Sequence, residues 1–505
     1  DANWQGIEVW GNNSAHQWPD ANGKYAQGFV VLDNATIENA INALNLSNPT
    51  DNNQTGGIVH ATGTIFKNNV KSVHALLYRN FHPNNNEKEM EYNSSFYSCS
   101  FQITPDYTGT YTFYKHVDLN QVNGIKFRGC DFSLSQEASN ISDYNQAIAA
   151  YSSGFKVEAI CTSITNPCSE WKNSTFNGFR VGVYAAHGSL SPYTYMINRA
   201  IFNGNSIGVL SNKVNNPIII NSEFHAAKNK YNWEDCTYGI FVEAASGFTI
   251  EDNYFFKQTG ALPSNYIGFG AFNCQAVADV YRNTFSGLTA GNYAYGKNWK
   301  DDLYGGLEYI CNINTSNWAD FYVTGPEDNR DNCVQSKQGS TIMPARNIFS
   351  PTGATWHFRN LTKNLIGYYY CQSCPGHYPE YVENVTREPV SVTGSCPSHY
   401  GSENPSSEII LSTASKLNAE TEFAFTDLNL QEIKTLYNNL KDGGSTEDTK
   451  SDLETALPSD MLELRARLLG DSPHLSTEVL KLVAGRTDIF TEAAIFDILA
   501  ANPDE

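Results

Sequence analysis

The sequence predicts an all-β protein, a right-handed parallel β-helix (a solenoid), followed by a small acidic α-helical domain. Three observations predict it. A short motif ending in Phe recurs at coil-length intervals, the composition is turn-rich with only 17% charged residues, and past residue 400 the apolar spacing turns helical.

The clearest copies of the motif read Trp171-Lys-Asn-Ser-Thr-Phe176, Ile197-Asn-Arg-Ala-Ile-Phe202, Ile219-Ile-Asn-Ser-Glu-Phe224, Ile250-Glu-Asp-Asn-Tyr-Phe255 and Val280-Tyr-Arg-Asn-Thr-Phe285. The residue two before each Phe is small or an amide: Ser174, Ala200, Ser222, Asn253, Asn283. Successive Phe residues stand 26, 22, 31 and 30 apart. In a strand, residues two apart share a face, so the Phe and the small residue both point inward. The apolar residue five before the Phe ends the preceding strand, and the polar residues between them form a corner. A second strand follows in Gly182-Val-Tyr-Ala185, Gly208-Val-Leu210 and Gly239-Ile-Phe-Val242. Stacked coils bury their inward residues in continuous parallel sheets, and inward Asn at a corner can form a hydrogen-bonded ladder.

Taken in order, Gly6 to Gly11 reads as an alternating strand, Asn12 to Lys24 as a turn-rich insert, and Gly28 to Leu32 as a second strand. Ala35 to Leu46 reads as a short helix. Gly57 to Phe66 restores the pattern with Thr64 at the small position, and Phe96 to Phe101 and Phe127 to Phe132 continue it. From Phe66 the intervals are 35, 31 and 44, the last holding the polar Ser133 to Asn145 loop and the Cys161 to Cys168 loop. After Gly291 the rhythm loosens. Leu307 to Asn312 and Arg346 to Phe349 read as further strands, and Pro351 to Tyr400 as a segment closing the open end. Residues 1–400 are thus assigned to the β-helix with its closing segment, and 401–505 to an α-helical domain or spacer. There, Leu428 to Leu440, Ser459 to Leu469, Thr477 to Val483 and Thr491 to Ala500 carry helical spacing, with Asp460 and Thr477 near helix starts. From Gly401 onward 20 acidic residues face 8 basic ones, which is −12 of the net −20.

The coil pattern resembles that of right-handed parallel β-helix proteins. Together with Trp4-x-Gly-Ile-x-Val-x-Gly11 and Gly56-Gly-Ile-Val-x-Ala-Thr-Gly63, it is similar to very large surface proteins of Bacteroidota exported by the type nine secretion system. The resemblance covers roughly residues 1 to 400 and is specific for fold rather than function. It implies an extracellular or cell-surface location, passage through secretion machinery, and a role in an adhesin or surface filament. Such a module would be noncatalytic, a rigid rod whose loops contact a surface glycan, a protein ligand or neighbouring copies of itself. Two alternatives stand beside it: a polysaccharide lyase or glycoside hydrolase of the β-helix type, and a homo-oligomeric structural subunit of a surface appendage.

The net charge of −20 argues against nucleic acid as partner, and no run of about 18 apolar residues exists to span a membrane. Asp1-Ala-Asn-Trp4 reads as folded protein, and the sorting domain implied by the resemblance is missing from these 505 residues, which fits an excerpt. A mature form or an excerpt is therefore expected. The eleven cysteines suggest an oxidising compartment. Cys99 and Cys130 both stand two before a Phe on neighbouring coils, a spacing that suits a disulfide or stacked free thiols, and stacked thiols are expected.

Candidate chemistry is sparse. Asp131 and Glu223 fall at the outward position before the Phe, on coils that are not adjacent; Glu251-Asp252 and Arg282 lie at corners; Asp301-Asp302 follows Lys300 in a loop. Each acid is read as solvated surface. His187 resembles the Gly-His-Gly of polygalacturonases, but their paired aspartates and Arg-x-Lys have no match, leaving a lone loop histidine. Gly268-Phe-Gly270 is read as turn glycines. Glu327-Asp-Asn-Arg-Asp-Asn332 is rich in oxygen ligands but lacks calcium-loop spacing. Cys371-x2-Cys374 with Cys396-x2-His399 offers either a structural zinc set or a disulfide plus a spare thiol. Tyr193, Tyr195, Tyr266, Tyr293, Tyr295, Tyr368, Tyr369 and Tyr370 are placed in loops, where they pack coil edges or meet a ligand. No residue is assigned a catalytic, cofactor-binding or metal role.

Overall fold

The computed structural model describes residues 4–399, except 19–23, 84, 108, 164–168, 189–190, 232–234, 259–263, 276, 302–304 and 327–332, together with residues 441–503. The chain divides into two compact units, Asp1–Glu408 and Ile409–Glu505.

The first unit is an all-β parallel solenoid. Three long sheets run its length, of 13, 11 and 10 strands, and their strands follow one another in sequence order with parallel pairing, except that Trp299–Asp301 closes the 11-stranded sheet antiparallel to Gly305–Ile310. The motif explains this directly. Phe66, Phe101, Phe132, Phe176, Phe202, Phe224, Phe255 and Phe285 are register partners on successive coils of the 10-stranded sheet. They form one stack, each neighbouring pair 4.5–4.8 Å apart between ring centroids. The small residue beside the Phe is equally buried, and where it is Asn it forms the expected ladder. Asn253, Asn283 and Asn312 each donate Nδ2 to a carbonyl of the coil before (Ile219, Ile250 and Val280, at 2.9, 2.8 and 2.7 Å) and accept from the backbone N–H of Ser222, Asn253 and Asn283.

The corner between motif strands is a single left-handed residue three before the Phe. Arg199, Asn221, Asp252 and Arg282 have φ of 59°, 51°, 54° and 57°. That geometry turns the chain in one residue, which glycine supplies at Gly63 and Gly129. A second glycine requirement lies in the 13-stranded sheet, where a Cβ on Gly182, Gly208, Gly239 or Gly268 would stand 2.5–2.8 Å from a Cδ1 of a stacked Phe ring. Gly268 and Gly270 are therefore strand residues within Asn265–Phe272, not turn glycines.

Several expectations are corrected. Ala35 to Leu46 is not helical but forms the strands Thr36–Glu38 and Asn42–Asn45, because Ile37 partners Phe66 and Leu44 partners Val73. Coil stacking overrides local propensity there. Trp171, read as the end of the preceding coil strand, lies instead on a two-stranded antiparallel pair, 42% exposed, with the Arg199 guanidinium 4.5 Å over its ring. Seven of the eight tyrosines placed in loops lie on strands, and Tyr195, Tyr266 and Tyr368 are buried. The segment from Pro351 adds coils through Trp356–Asn360, Ile366–Cys371, Val382–Glu383 and Val385–Val390 before leaving the stack.

The second unit holds helices Thr446–Thr455, Met461–Asp471, Thr477–Gly485 and Glu492–Ala500. Leu453, Leu468, Leu475, Val479, Val483, Phe490 and Ile498 form its core. Ser476 and Thr491 cap the last two helices by accepting from Val479 N and Ala494 N. The expected helix Leu428 to Leu440 lies outside the described residues. No described helix is long and apolar enough to cross a membrane.

Candidate ligand-binding face

The outer face of the 13-stranded sheet carries an apolar cluster separate from the solenoid core. Its floor is a buried row, Val181, Ile207, Tyr238, Ile267 and Ala290, and over it lie the half-buried Tyr184, Leu210, Phe241, Phe272, Tyr293 and Tyr322. The register sets a lateral row: Tyr184, Leu210, Phe241, Gly270, Tyr293, Tyr322 and Arg359 are partners on seven successive strands. Gly270 interrupts the aromatics for a reason. A Cβ there would come within 3.1 Å of both Tyr238 and Phe272, so the glycine lets those rings lie over the backbone.

The rings pack on one another. Phe241 and Phe272 stack at 4.4 Å, Tyr293 and Tyr322 at 5.5 Å, and Phe272 bridges to Tyr293 and Tyr295 at 5.6 Å each. At one end the Arg359 guanidinium lies 5.2–5.9 Å from the rings of Trp356, Tyr322 and Trp318 and is paired with Glu383 at 2.8 Å. Trp318 is 40% exposed. The rim includes Glu243, which accepts from Asn212 Nδ2 at 2.5 Å. Burial and the neighbouring Tyr322 hydroxyl push the Tyr293 hydroxyl above its ordinary range, so it is a neutral donor and acceptor. A platform of half-exposed rings with phenolic hydroxyls and one delocalised cation can stack on flat apolar faces and hydrogen-bond their edges.

A second cluster lies on the outer side of the 11-stranded sheet, beneath residues 396–399. Glu251, read from sequence as solvated, is 1% exposed. His399 covers it: Nδ1 lies 2.7 Å from Oε2, and the backbone N–H donates to Oε1 at 2.6 Å. Ser398 Oγ donates to Asp252 at 2.6 Å, Arg282 Nε pairs with Asp252 at 2.8 Å, and Tyr281 Oη donates to Pro397 O at 2.8 Å. Asp279 and Glu308 are register partners beside them. Burial, with Glu251 close by, pushes Asp279 up to about 6 against the pull of His399; burial and then Asp279 raise Glu308 well above its ordinary value. Glu251 raises His399, opposed by burial.

The zinc set does not form. Cys371 and Cys374 are joined in a disulfide, Cys396 pairs with Cys311, and His399 is engaged by Glu251. Cys396 is therefore not a spare thiol either. Among the described residues no group of three or more His, Cys, Asp and Glu is placed to hold a metal ion. Cys99 and Cys130 are buried thiols on adjacent coils, as expected. Of the other candidates, Asp131 lies 3.8 Å from Lys172 and accepts from Thr175, Glu223 pairs with His225 at 3.1 Å, and neither converges on one site with Glu251. His187 is buried, and burial lowers its pKa. The Asp301-Asp302 and Glu327 to Asn332 side chains lie outside the described residues.

Sequence reasoning missed the aromatic face, although a signal exists. Tyr184, Leu210 and Tyr293 each stand eight residues past a motif Phe (Phe176, Phe202, Phe285). No family model, curated protein or solved structure matches the chain.

Proposed function

We propose that the solenoid is a noncatalytic extracellular binding module, of the kind used by surface adhesins, whose aromatic face takes a glycan chain laid across the coils. The row from Tyr184 to Arg359 carries this reading. Its side chains repeat at the strand spacing of about 4.8 Å, with rings on four of the seven strands, a period that suits a polymer of repeating units rather than a single small molecule. The face presents ring planes and hydroxyls with little charge, as a pyranose requires, and the scaffold is rigid, so little ordering is needed on binding. Disulfides at Cys371–Cys374 and Cys311–Cys396 suit an oxidising, extracellular setting. A right-handed coil is part of this reading, since parallel crossovers are right-handed in nearly all sheets.

The test is binding to a panel of neutral and acidic polysaccharides by the intact chain, its Tyr293→Ala and Tyr322→Ala variants, and Tyr114→Ala, an exposed tyrosine off the row, as control. Loss of tenfold or more in affinity from either row substitution, with the control unchanged, is expected. Absence of binding across the panel, with a concentration-dependent dimer that the same substitutions disrupt, would assign the face to self-association instead. Polysaccharide cleavage is the second reading, favoured by the paired Asp279 and Glu308 on the 11-stranded sheet; product release abolished by Asp279→Asn would establish it.

A further inference from the structure

We propose that the Cys311–Cys396 disulfide is a mechanical bypass, carrying tension from the C-terminal chain past the last coils and into the body of the solenoid. The bond closes a loop of 85 residues. That loop contains strands Ile313–Thr315, Ala319–Thr324, Lys337–Gln338, Trp356–Asn360, Ile366–Cys371, Val382–Glu383 and Val385–Val390. A pull on the chain beyond residue 399 reaches Cys396, crosses the sulfur bridge to Cys311 and continues toward the N-terminus. Residues 312–395 form a side loop that bears none of it.

The bypass matters because the end of a parallel solenoid is its weakest place under tension. Among the described strands, Val385–Val390 pairs with Ile366–Cys371 alone, and Val382–Glu383 with Trp356–Asn360 alone, so a direct pull would peel strands held from one side. Cys311 stands differently. It directly follows strand Gly305–Ile310, which its Ala278–Tyr281 neighbour holds on one side, while the Cys311 N–H donates to Ala345 O at 2.7 Å and Tyr309 N–H donates to Gln338 Oε1 at 2.9 Å on the other.

The contacts around the bridge fit the same purpose. Tyr281 binds Pro397 O, Arg282 binds Cys396 O, and Glu251 and Asp252 bind Ser398 and His399. Residues 396–399 are thereby fastened to three successive coils, at Glu251-Asp252, Tyr281-Arg282 and Cys311. Tension arriving there loads contacts on several coils together rather than one strand at a time. The inference rests on covalent connectivity and holds whether or not the aromatic face binds glycan.

Single-molecule pulling on the full chain, with handles at its two termini, tests it. The oxidised protein is expected to release no 85-residue segment before the body of the solenoid yields. A Cys311→Ser/Cys396→Ser variant is expected to show an added early step at lower force, with a contour gain of about 290 Å from those 85 residues. If that variant fails to fold, the folded wild-type chain is reduced by a dithiol, which becomes oxidised as the bridge opens to two thiols, and the same step should appear. An early step of that length in oxidised protein, or its absence from both reduced and variant protein, overturns the proposal.

Discussion

The rings of Phe101 and Phe132 lie 4.5 Å apart between centroids and within 5° of parallel, the closest pair in a stack of eight. Each ring is fully buried and filled on both faces by its neighbours, so removing one leaves a cavity that two rigid coils cannot close. Phe132→Ala is expected to cost about 3–5 kcal/mol in urea unfolding of the solenoid. A loss below about 1 kcal/mol would mean that the coils collapse around the gap and the stack is not a packing constraint.

The glycine file beneath the stack makes a matching prediction. A Cβ at Gly239 would stand 2.5 Å from Phe255 Cδ1 and 2.7 Å from the Gly268 carbonyl oxygen. Gly239→Ala should therefore destabilise by about 1–3 kcal/mol through overpacking. Gly470, in helix Met461–Asp471, has nothing within 4 Å of such a Cβ, so Gly470→Ala should leave the helical unit unchanged or stabilise it by up to about 1 kcal/mol. Equal effects at the two positions would refute the steric account.

These two positions show why the coil was legible in sequence. The Phe and the small residue before it share a face by strand periodicity, a local rule that variable loops do not disturb. Ala35 to Leu46 reads as helix locally because its pairing with Phe66 and Val73 spans about a whole coil, and local composition does not encode that partner. The same holds for the aromatic face. Phe241 lies 17 residues past Phe224, whereas Tyr184 lies eight past Phe176, so the row becomes visible only once pairing fixes the register. Glu251 escaped notice for a further reason: the residue that buries it, His399, is 148 positions away.

The disulfides give opposite expectations for chelator and reductant. With Cys371 bonded to Cys374 and Cys396 to Cys311, a chelator such as EDTA should leave the thermal midpoint of the solenoid unchanged. Loss of the 85-residue cross-link should lower stability by about 4–5 kcal/mol in the chain-entropy account, read as the difference between wild type and Cys311→Ser/Cys396→Ser. A fall in the midpoint with EDTA, and release of one zinc per chain, would restore the metal reading.

The carboxylates under residues 396–399 make solenoid stability depend on pH in a stated direction. Glu251 and Asp252 from one coil, Asp279, Tyr281 and Arg282 from the next, Glu308 from the third and His399 from the covering segment all face one another. His399 is raised by Glu251, so its contribution is complete below the ordinary histidine value near 6.5 and is lost as pH rises through its higher folded value. Asp279, raised to about 6, and Glu308, raised further, are neutral in the fold where the unfolded chain ionises them. Their effect has the same sign, a loss of stability as pH climbs from about 4 through 6 and above. Asp320, buried in the core and also raised to about 6, adds a background common to every variant. Wild type should therefore be most stable near pH 4 and weaken toward pH 8. Asp279→Asn removes one of the ionisations and should gain about 1–2 kcal/mol over wild type at pH 8, with little difference near pH 4, allowing for the partial exposure of the pair. His399→Gln should lose the part of the slope that begins near the ordinary histidine value of 6.5. Urea midpoints measured at unit pH intervals decide it, and a flat wild-type profile, or identical slopes in all three proteins, would show that the cluster does not take up protons on folding.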